Sequence, residues 1–334
     1  MLDSTIFKRV IWAVDVFEKN RKMHRLAVQS LKELAATAGA VVDPVYVLDV
    51  DPSMIYKGDP IVTDLKNSAT KALEKIIKES KLDEIPNHTS GQVLMNQSIT
   101  IGFDHRTEIL LEYIKSSQAD AILVSTHGRS GFKRVILGSF AEGLLSHSPI
   151  PVLTVNPTVT KVHAFQQILF PTNLHAGSKS VFKRIVSLAR GLKCHLILYH
   201  CTSHPIDPIV QSGIYLLSGS WVPLFPSSSF GIDKKISRIQ TWTRWALSQG
   251  ISTEYVIHTT TGSLSEEVVS FAKKRKIGLI AIEEDSGPIS SALLGSIVRQ
   301  VSRHAPCPVM VLRPPHNIPA SRPKIPTEKT PKAA

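Results

Sequence analysis

Two tandem α/β units, each an open parallel sheet with helices on both faces, are what the sequence predicts. Three observations predict them: an internal repeat, an alternation of strand and helix periods within each copy, and a length that one compact domain seldom reaches. The repeat shows at both ends of each half. Val10-Ile11-Trp12-Ala13-Val14-Asp15 and Ile168-Leu169-Phe170-Pro171-Thr172-Asn173 are apolar runs ending in a polar turn, with Asp15 and Asn173 158 positions apart. Leu137-Gly138-Ser139, followed by His147-Ser148-Pro149-Ile150-Pro151-Val152, returns 157 positions later as Leu294-Gly295-Ser296, followed by His304-Ala305-Pro306-Cys307-Pro308-Val309. Two distant blocks whose offsets agree within one residue mark a duplication. The 334 residues then divide into units of 1–156 and 165–316, each large enough to bury a core, with a linker near Asn156–Phe165 and a Pro/Lys-rich tail over 317–334 expected to be disordered.

Within the first copy the periods alternate. After the strand ending at Asp15, Leu26, Leu31, Leu34 and Ala35 fall at near-helical spacing and Gly39 stands where a C-terminal cap belongs, which predicts a helix over 21–38. Val41–Val50 is a β-branched strand, 63–82 is helical through Leu65, Ala69, Ala72, Leu73 and Ile76, and Gln92–Ile101 alternates like a strand. A helix over 104–117 leads into Ala119–Thr126, apolar enough to be a central strand covered on both faces. A helix over 139–147 and a strand over 151–155 close the unit. Five strands alternating with four helices imply a parallel sheet with right-handed crossovers, and such sheets bind ligands beyond the C-terminal strand ends. Asp15, Val47 and the segment from Ser125 all fall at such ends.

Composition narrows the classes of function. Hydrophobic residues at 43% and charged residues at 20% describe a folded chain. The apolar stretch Val10–Val14 is too short for a secretory signal, and even Ile214–Pro226 is interrupted by polar residues and prolines, so no membrane span is expected. Three cysteines, Cys194, Cys201 and Cys307, form neither an even disulfide set nor a CxxC pair, which suits a reducing compartment and points to the cytoplasm. The net charge of +12 comes without a dense basic block or an aromatic-interleaved RNA motif, so nucleic acid is not the expected partner.

The segment from Ser125 to Ser139 carries the most specific chemistry. Gly128, nine intervening residues, then Gly138-Ser139 set glycines between a strand and a helix start. A glycine lets backbone approach a phosphate, and free N–H groups at a helix start attract anions, with Ser139 as the expected cap. Taken alone, glycines so placed are more often turn residues than ligand contacts. The spacing resembles the nucleotide loop of the universal stress protein family, Gly-x-x-Gly, nine residues, Gly-Ser/Thr, with Ser125 in place of the first glycine. That resemblance covers residues 7–313. It implies two Rossmann-like, HUP-type five-stranded sheets related by a pseudo-twofold and joined through their last strands, Pro151–Val155 and Pro308–Leu312. It further implies ATP, with Mg²⁺ on the phosphates and no metal ligands from the protein. The residues around the nucleotide would be Ala13, Val14, Asp15, Val47, Ser125, His127, Gly128, Arg129, Gly138, Ser139 and Phe140. Asp15 would lie beside the adenosine and the Val47 backbone would read the adenine edge. Ala13-Val14 stand where the family commonly has Pro-Thr.

The second copy departs from this pattern. Counting nine residues back from Gly295 sets Asp285 at the second glycine and Ile282 at the first, so the loop reads Ile282-Glu283-Glu284-Asp285, and Asn173 replaces the aspartate. Three adjacent carboxylates repel a triphosphate, so no ATP is expected there. Cys194, His195, His200, Cys201 and His204 match no zinc spacing, and no Gly-x-Ser-x-Gly elbow or other catalytic nucleophile is visible. Residues 203–230, rich in Ser, Pro and large apolar side chains, read as a lid, a partner surface or a cover for their own domain. The resemblance implies an ATP-binding stress-response regulator with one nucleotide site, at most slow hydrolysis, an intramolecular pseudo-dimer and room for homodimerisation. The alternatives are a nucleotide-free scaffold, or a binder of another small ligand through its pocket or the 203–230 segment.

Overall fold

The computed structural model describes residues 7–50, 60–95, 105–126, 137–175, 177–203, 213–215, 221–223, 229–284 and 294–314. The first half runs β1 (Arg9–Ala13), α1 (Arg21–Ala38), β2 (Val41–Leu48), α2 (Pro60–Glu79), β3 (Gln92–Met95), α3 (His105–Ser117), β4 (Ala121–Ser125), α4 (Ser139–His147) and β5 (Val152–Val155). The second repeats the order as β6 (Gln167–Pro171), α5 (Ser178–Gly191), β7 (His195–Ser203), α6 (Ser229–Ser248), β10 (Thr253–Thr260), α7 (Leu264–Lys274), β11 (Leu279–Glu283), α8 (Ser296–His304) and β12 (Val309–Leu312). It carries one insertion, the hairpin β8 (Gly213–Tyr215) and β9 (Trp221–Pro223), inside the long connection noted in the sequence.

Helix α1 shows why these residues form these elements. The Asn20 side chain accepts the Lys22 N–H at its start, Met23, Leu26, Ala27, Leu31 and Leu34 are buried on one stripe, and Gly39 at φ 61° ends it with its N–H on Ala35. Helix α2 begins at Pro60, three residues before its expected start, because proline at a first helical position gives up an N–H that has no intrahelical acceptor anyway. Both β4 and β11 are buried through their first four residues, as strands covered on two faces must be.

The two five-stranded sheets do not stand apart. They join into one ten-stranded sheet in the order β10-β7-β6-β11-β12-β5-β4-β1-β2-β3, parallel throughout except at the antiparallel β12–β5 contact. There Val309 faces Thr154, Met310 faces Leu153 and Val311 faces Val152. Leu153 and Met310 are equivalent positions of the two copies, so the pseudo-twofold passes through their pair. Core residues alternate between the faces of this sheet, and each face is continuous across both halves. Trp12, Leu123, Leu153, Met310 and Phe170 belong to one layer, and Ile11, Ile122, Val152, Val309 and Leu169 to the other.

Polar contacts lock the same junction. Asn156 Nδ2 donates to the Ala305 carbonyl at 3.0 Å, Thr158 Oγ1 to the same oxygen at 2.8 Å, and the Arg313 guanidinium to the Leu145 carbonyl at 2.9 Å. Glu142 on α4 and Arg299 on α8 form an ion pair across the axis, and they are themselves equivalent positions, 157 residues apart. A position that meets its own counterpart across a twofold carries like charge in a true homodimer. Here it carries opposite charges. Glu142→Arg is therefore expected to lower unfolding stability by about 1 kcal/mol, and Arg299→Glu in the same chain to restore most of it. Denaturant unfolding of the four chains of that cycle measures the coupling.

Candidate functional site

The strand order reverses around β1, whose neighbours are β2 and β4, and a cavity of about 260 Å³ opens at the C-terminal ends of these three strands. Ala13, Val14 and Asp15 line it from β1, Val47 from β2, Ser125 from β4, and Gly138, Ser139 and Phe140 from the start of α4. The structure thus brings eight of the residues named from the sequence to one crevice. His127, Gly128 and Arg129 lie outside the described residues, as does Asp285 in the second half.

Each wall has a local cause. The Asp15 carboxylate accepts the Phe17 N–H at 3.0 Å, and its carbonyl accepts the Glu18 N–H at 3.1 Å, so the chain turns sharply out of β1. The Val14 N–H donates to the Val45 carbonyl, the last rung between β1 and β2. Backbone groups alternate along a strand, so the N–H and C=O of Val47 point to the same side as those of Val45, past the point where β1 has ended. They face the cavity. At its other end the Gly138 N–H donates to the Thr126 carbonyl at 3.3 Å, tying the start of α4 to the end of β4.

Gly138, not Ser139, is the N-cap of α4; Ser139 is its first helical residue, and no side chain caps the helix. The expected Ser139 cap is thus corrected: the cap position falls on Gly138, and Ser139 is already helical. The first-turn amides have no intrahelical acceptor, and they open toward the cavity at the positive end of the helix dipole.

Several lining residues were not anticipated from the sequence, among them Trp12, Glu18, His24, Tyr46 and Arg106. Arg106 sits 5.5 Å over the Phe140 ring. The available signal was its place in the first turn of α3, where a cation opposes the helix dipole. Beneath the crevice a buried carboxylate fixes the relation of β2 to its neighbours. Asp43 accepts from Thr89 Oγ1 and Tyr113 Oη at 2.6 Å each and lies 3.5 Å from Arg9. Burial, reinforced by that hydrogen bond to Asp43, pushes the Tyr113 phenol up to about 12.

The second half has a cavity of about 280 Å³ in the matching place, lined from β6, β7, β11, α7 and the start of α8. Asn173 keeps the turn, accepting the His175 N–H at 2.9 Å as Asp15 accepts that of Phe17, and loses the charge. The strand registers pair Ser125 with Val155 and Glu283 with Leu312, so Glu283 is the counterpart of Ser125 and Ile282 is a buried strand residue. The sequence count set Ile282 there because the connection from β11 to α8 is one residue shorter than that from β4 to α4, and counting back from Gly295 carried that gap into the strand. Glu284 is then the counterpart of Thr126. Its buried carboxylate accepts the Gly295 N–H at 3.0 Å, where the first half uses a backbone carbonyl.

A model of the universal stress protein family matches residues 7–156 and, a second time, residues 164–313. The chain belongs to that family, as a tandem member. Universal stress protein MJ0531 of Methanocaldococcus jannaschii is 25% identical over 154 residues, 45% of this chain and 82% of that protein. Among solved structures, a universal stress protein from Archaeoglobus fulgidus shares the fold at a TM-score of 0.61 and 14% identity, covering 91% of this chain and 98% of that one. A putative universal stress protein from Pseudomonas aeruginosa does so at 0.59 and 15%, covering 93% and 95%. No helix among the described residues is long and apolar enough to cross a membrane.

Strand β7, which lines the second cavity through Tyr199 and Cys201, carries a pH dependence on its other face. His200 on β7 is buried, its Nδ1 donates to the Thr172 carbonyl at 2.8 Å, and its Nε2 has no hydrogen-bond partner among the described residues. Burial holds the imidazole below its ordinary value of 6.5, with Lys235 acting in the same direction. The unfolded chain therefore binds the proton more tightly. This contribution to stability is complete above pH 6.5 and is lost as pH falls from there through the lowered folded value. His200→Asn, which keeps a donor for Thr172, is expected to flatten the decline of stability below that pH in thermal unfolding scans.

Proposed function

We propose that this tandem universal stress protein binds one ATP per chain in the first crevice and acts as an ATP-binding regulator of the stress response, with at most slow hydrolysis. One observation carries the reading: the two halves share a fold, yet the N–H of the glycine before the last helix is held by the neutral Thr126 carbonyl in the first half and by the Glu284 carboxylate in the second, so of the two crevices it is the second whose helix start already has an anion against it. Adenine would present its edge to the backbone N–H and C=O of Val47, the ribose would lie by Asp15, and the phosphates would run from Ser125 through the His127-Gly128-Arg129 segment to Gly138, Ser139 and Phe140. Among the described residues no cluster of three or more His, Cys, Asp or Glu is placed to hold a metal, so Mg²⁺ would travel on the phosphates and water. No group in the crevice is assigned to orient an attacking water. We read residues 1–156 and 165–316 as the two domains, with 317–334 as an appended tail, in a cytoplasmic protein.

Calorimetric titration of the full chain with MgATP is expected to give a stoichiometry near one. Gly128→Val and Asp15→Ala are each expected to weaken binding by about tenfold or more, the first by blocking phosphate approach and the second by removing a hydrogen-bonding charge. Asp285→Ala is expected to leave it unchanged. A ratio near two, or full affinity in Gly128→Val, would place the nucleotide elsewhere.

A further inference from the structure

A third cavity, of about 380 Å³, lies between α5 and α6 and shares no lining residue with either crevice. Phe182, Trp242 and Trp245 make its apolar wall: Phe182 stacks on Trp242 with ring centroids 4.6 Å apart and meets Trp245 at 5.4 Å. Lys179, Lys183 and Arg238 are its charged lining, and no Asp or Glu among the described residues faces it. Contacts between the helices fix how the groove is polarised. The Arg238 guanidinium donates to the Leu174 carbonyl, just before α5, and Arg190 near the end of α5 donates to the Gln249 carbonyl at 2.9 Å, so the two helices run parallel. Arg238 and Lys179 therefore stand toward one end and Trp245 toward the other, with Lys183 one turn on from Lys179. The bond to Leu174 holds the Arg238 side chain in place and uses only part of its donor set.

The first half shows that the fold does not require this chemistry. Superposing the buried stripes Ala69, Leu73 and Ile76 of α2 and Ile239, Thr243 and Ala246 of α6 puts Ala72 and Lys75 in the places of Trp242 and Trp245, and Glu79 in that of Gln249. Glu79 lies 3.5 Å from Arg21 and 4.0 Å from Lys75, so the cations of that face are answered within the chain. In the second half an amide stands where that carboxylate was, and an indole replaces a methyl group.

These facts select a ligand class. Three cations grouped without an acid attract negative charge and repel a cation. An inorganic anion would leave the aromatic wall unused, and a neutral ring would leave the cations unanswered. The lined part of α6, Arg238 to Trp245, is about 10 Å long at the rise of an α-helix. That length suits a bicyclic ring with one acid group and is short for the amphipathic helix of a docking protein. We propose that this groove binds a small aromatic acid, with its ring along the Trp242–Trp245 wall and its carboxylate, sulfonate or phosphate group at Lys179 and Arg238. The reading stands whether or not the first crevice takes ATP.

Calorimetric titration of the full-length protein tests the site. Naphthalene-2-sulfonate is the probe, and 2-naphthylmethylammonium, the same ring with the opposite charge, is the control. The sulfonate is expected to bind, more weakly as salt is raised, and the ammonium to give no binding. Lys179 and Lys183 are exposed, so Lys179→Gln combined with Lys183→Gln leaves the core untouched and is expected to weaken binding of the sulfonate about tenfold or more. Trp245→Lys, which installs the residue α2 carries there, is expected to abolish it, and thermal unfolding scans check that the variant folds. Arg21→Gln combined with Arg25→Gln, a matched loss of charge on α1, is expected to leave it unchanged. Equal binding of the two probes, binding of the sulfonate that survives the lysine or the tryptophan change, or no binding of it would each overturn the proposal. Saturable binding of a short Asp/Glu-rich peptide in place of the sulfonate would overturn it too, by making the groove a surface for protein.

Discussion

The β5–β12 contact is the constraint from which the rest of the molecule follows. A five-stranded open sheet ends in strands whose outer N–H and C=O groups need partners. Each copy has such an edge at its last strand, and the two edges satisfy each other along Val152–Thr154 and Val309–Val311. That pairing makes the two core layers continuous, and it brings α4 against α8, where Glu142 and Arg299 meet. Because β5 follows α4 and β12 follows α8 after a few residues, the same contact sets the positions of Gly138 and Gly295, and with them the back wall of each crevice.

Duplication under this constraint separates what the fold requires from what a ligand requires. The turn at the end of the first strand survives as Asp15 in one copy and Asn173 in the other, because either side chain accepts the N–H two residues on. The glycine before the last helix survives in both copies. What differs is charge: Thr126 lends a backbone carbonyl to Gly138, and Glu284 lends a carboxylate to Gly295. The scaffold beneath differs too. Strand β2 carries the buried Asp43, tied to Thr89, Tyr113 and Arg9, whereas the register puts the wholly apolar Ile197 at the matching point of β7.

Much of this was legible in the sequence because periodicity and repetition survive without three-dimensional information. Helix α1 matches its expected span because its apolar stripe and its Gly39 stop lie in one short segment, while its Asn20 cap was seen in the structure alone. The crevice was legible through Asp15, Val47 and Gly138, which close strands or open a helix. Arg106, His24 and Tyr46 were not, because they reach the crevice by tertiary packing from elements whose own periodicity says nothing about it. The misplacement of Ile282 has another cause. A count along the chain cannot say on which side of a strand a missing residue lies, and the pairing of Glu283 with Leu312 can.

The antiparallel junction within a single chain also changes how the assembly responds to dilution. Two separate subunits joined by one pair of four-residue edge strands dissociate as their concentration falls, and their crevices then depend on how much protein the cell makes. Here the connection between Val155 and Gln167 keeps the second edge within reach of the first at every concentration, so closure of the sheet is an intramolecular step. The geometry of both crevices is thereby insulated from expression level, and what varies is left to the ligands.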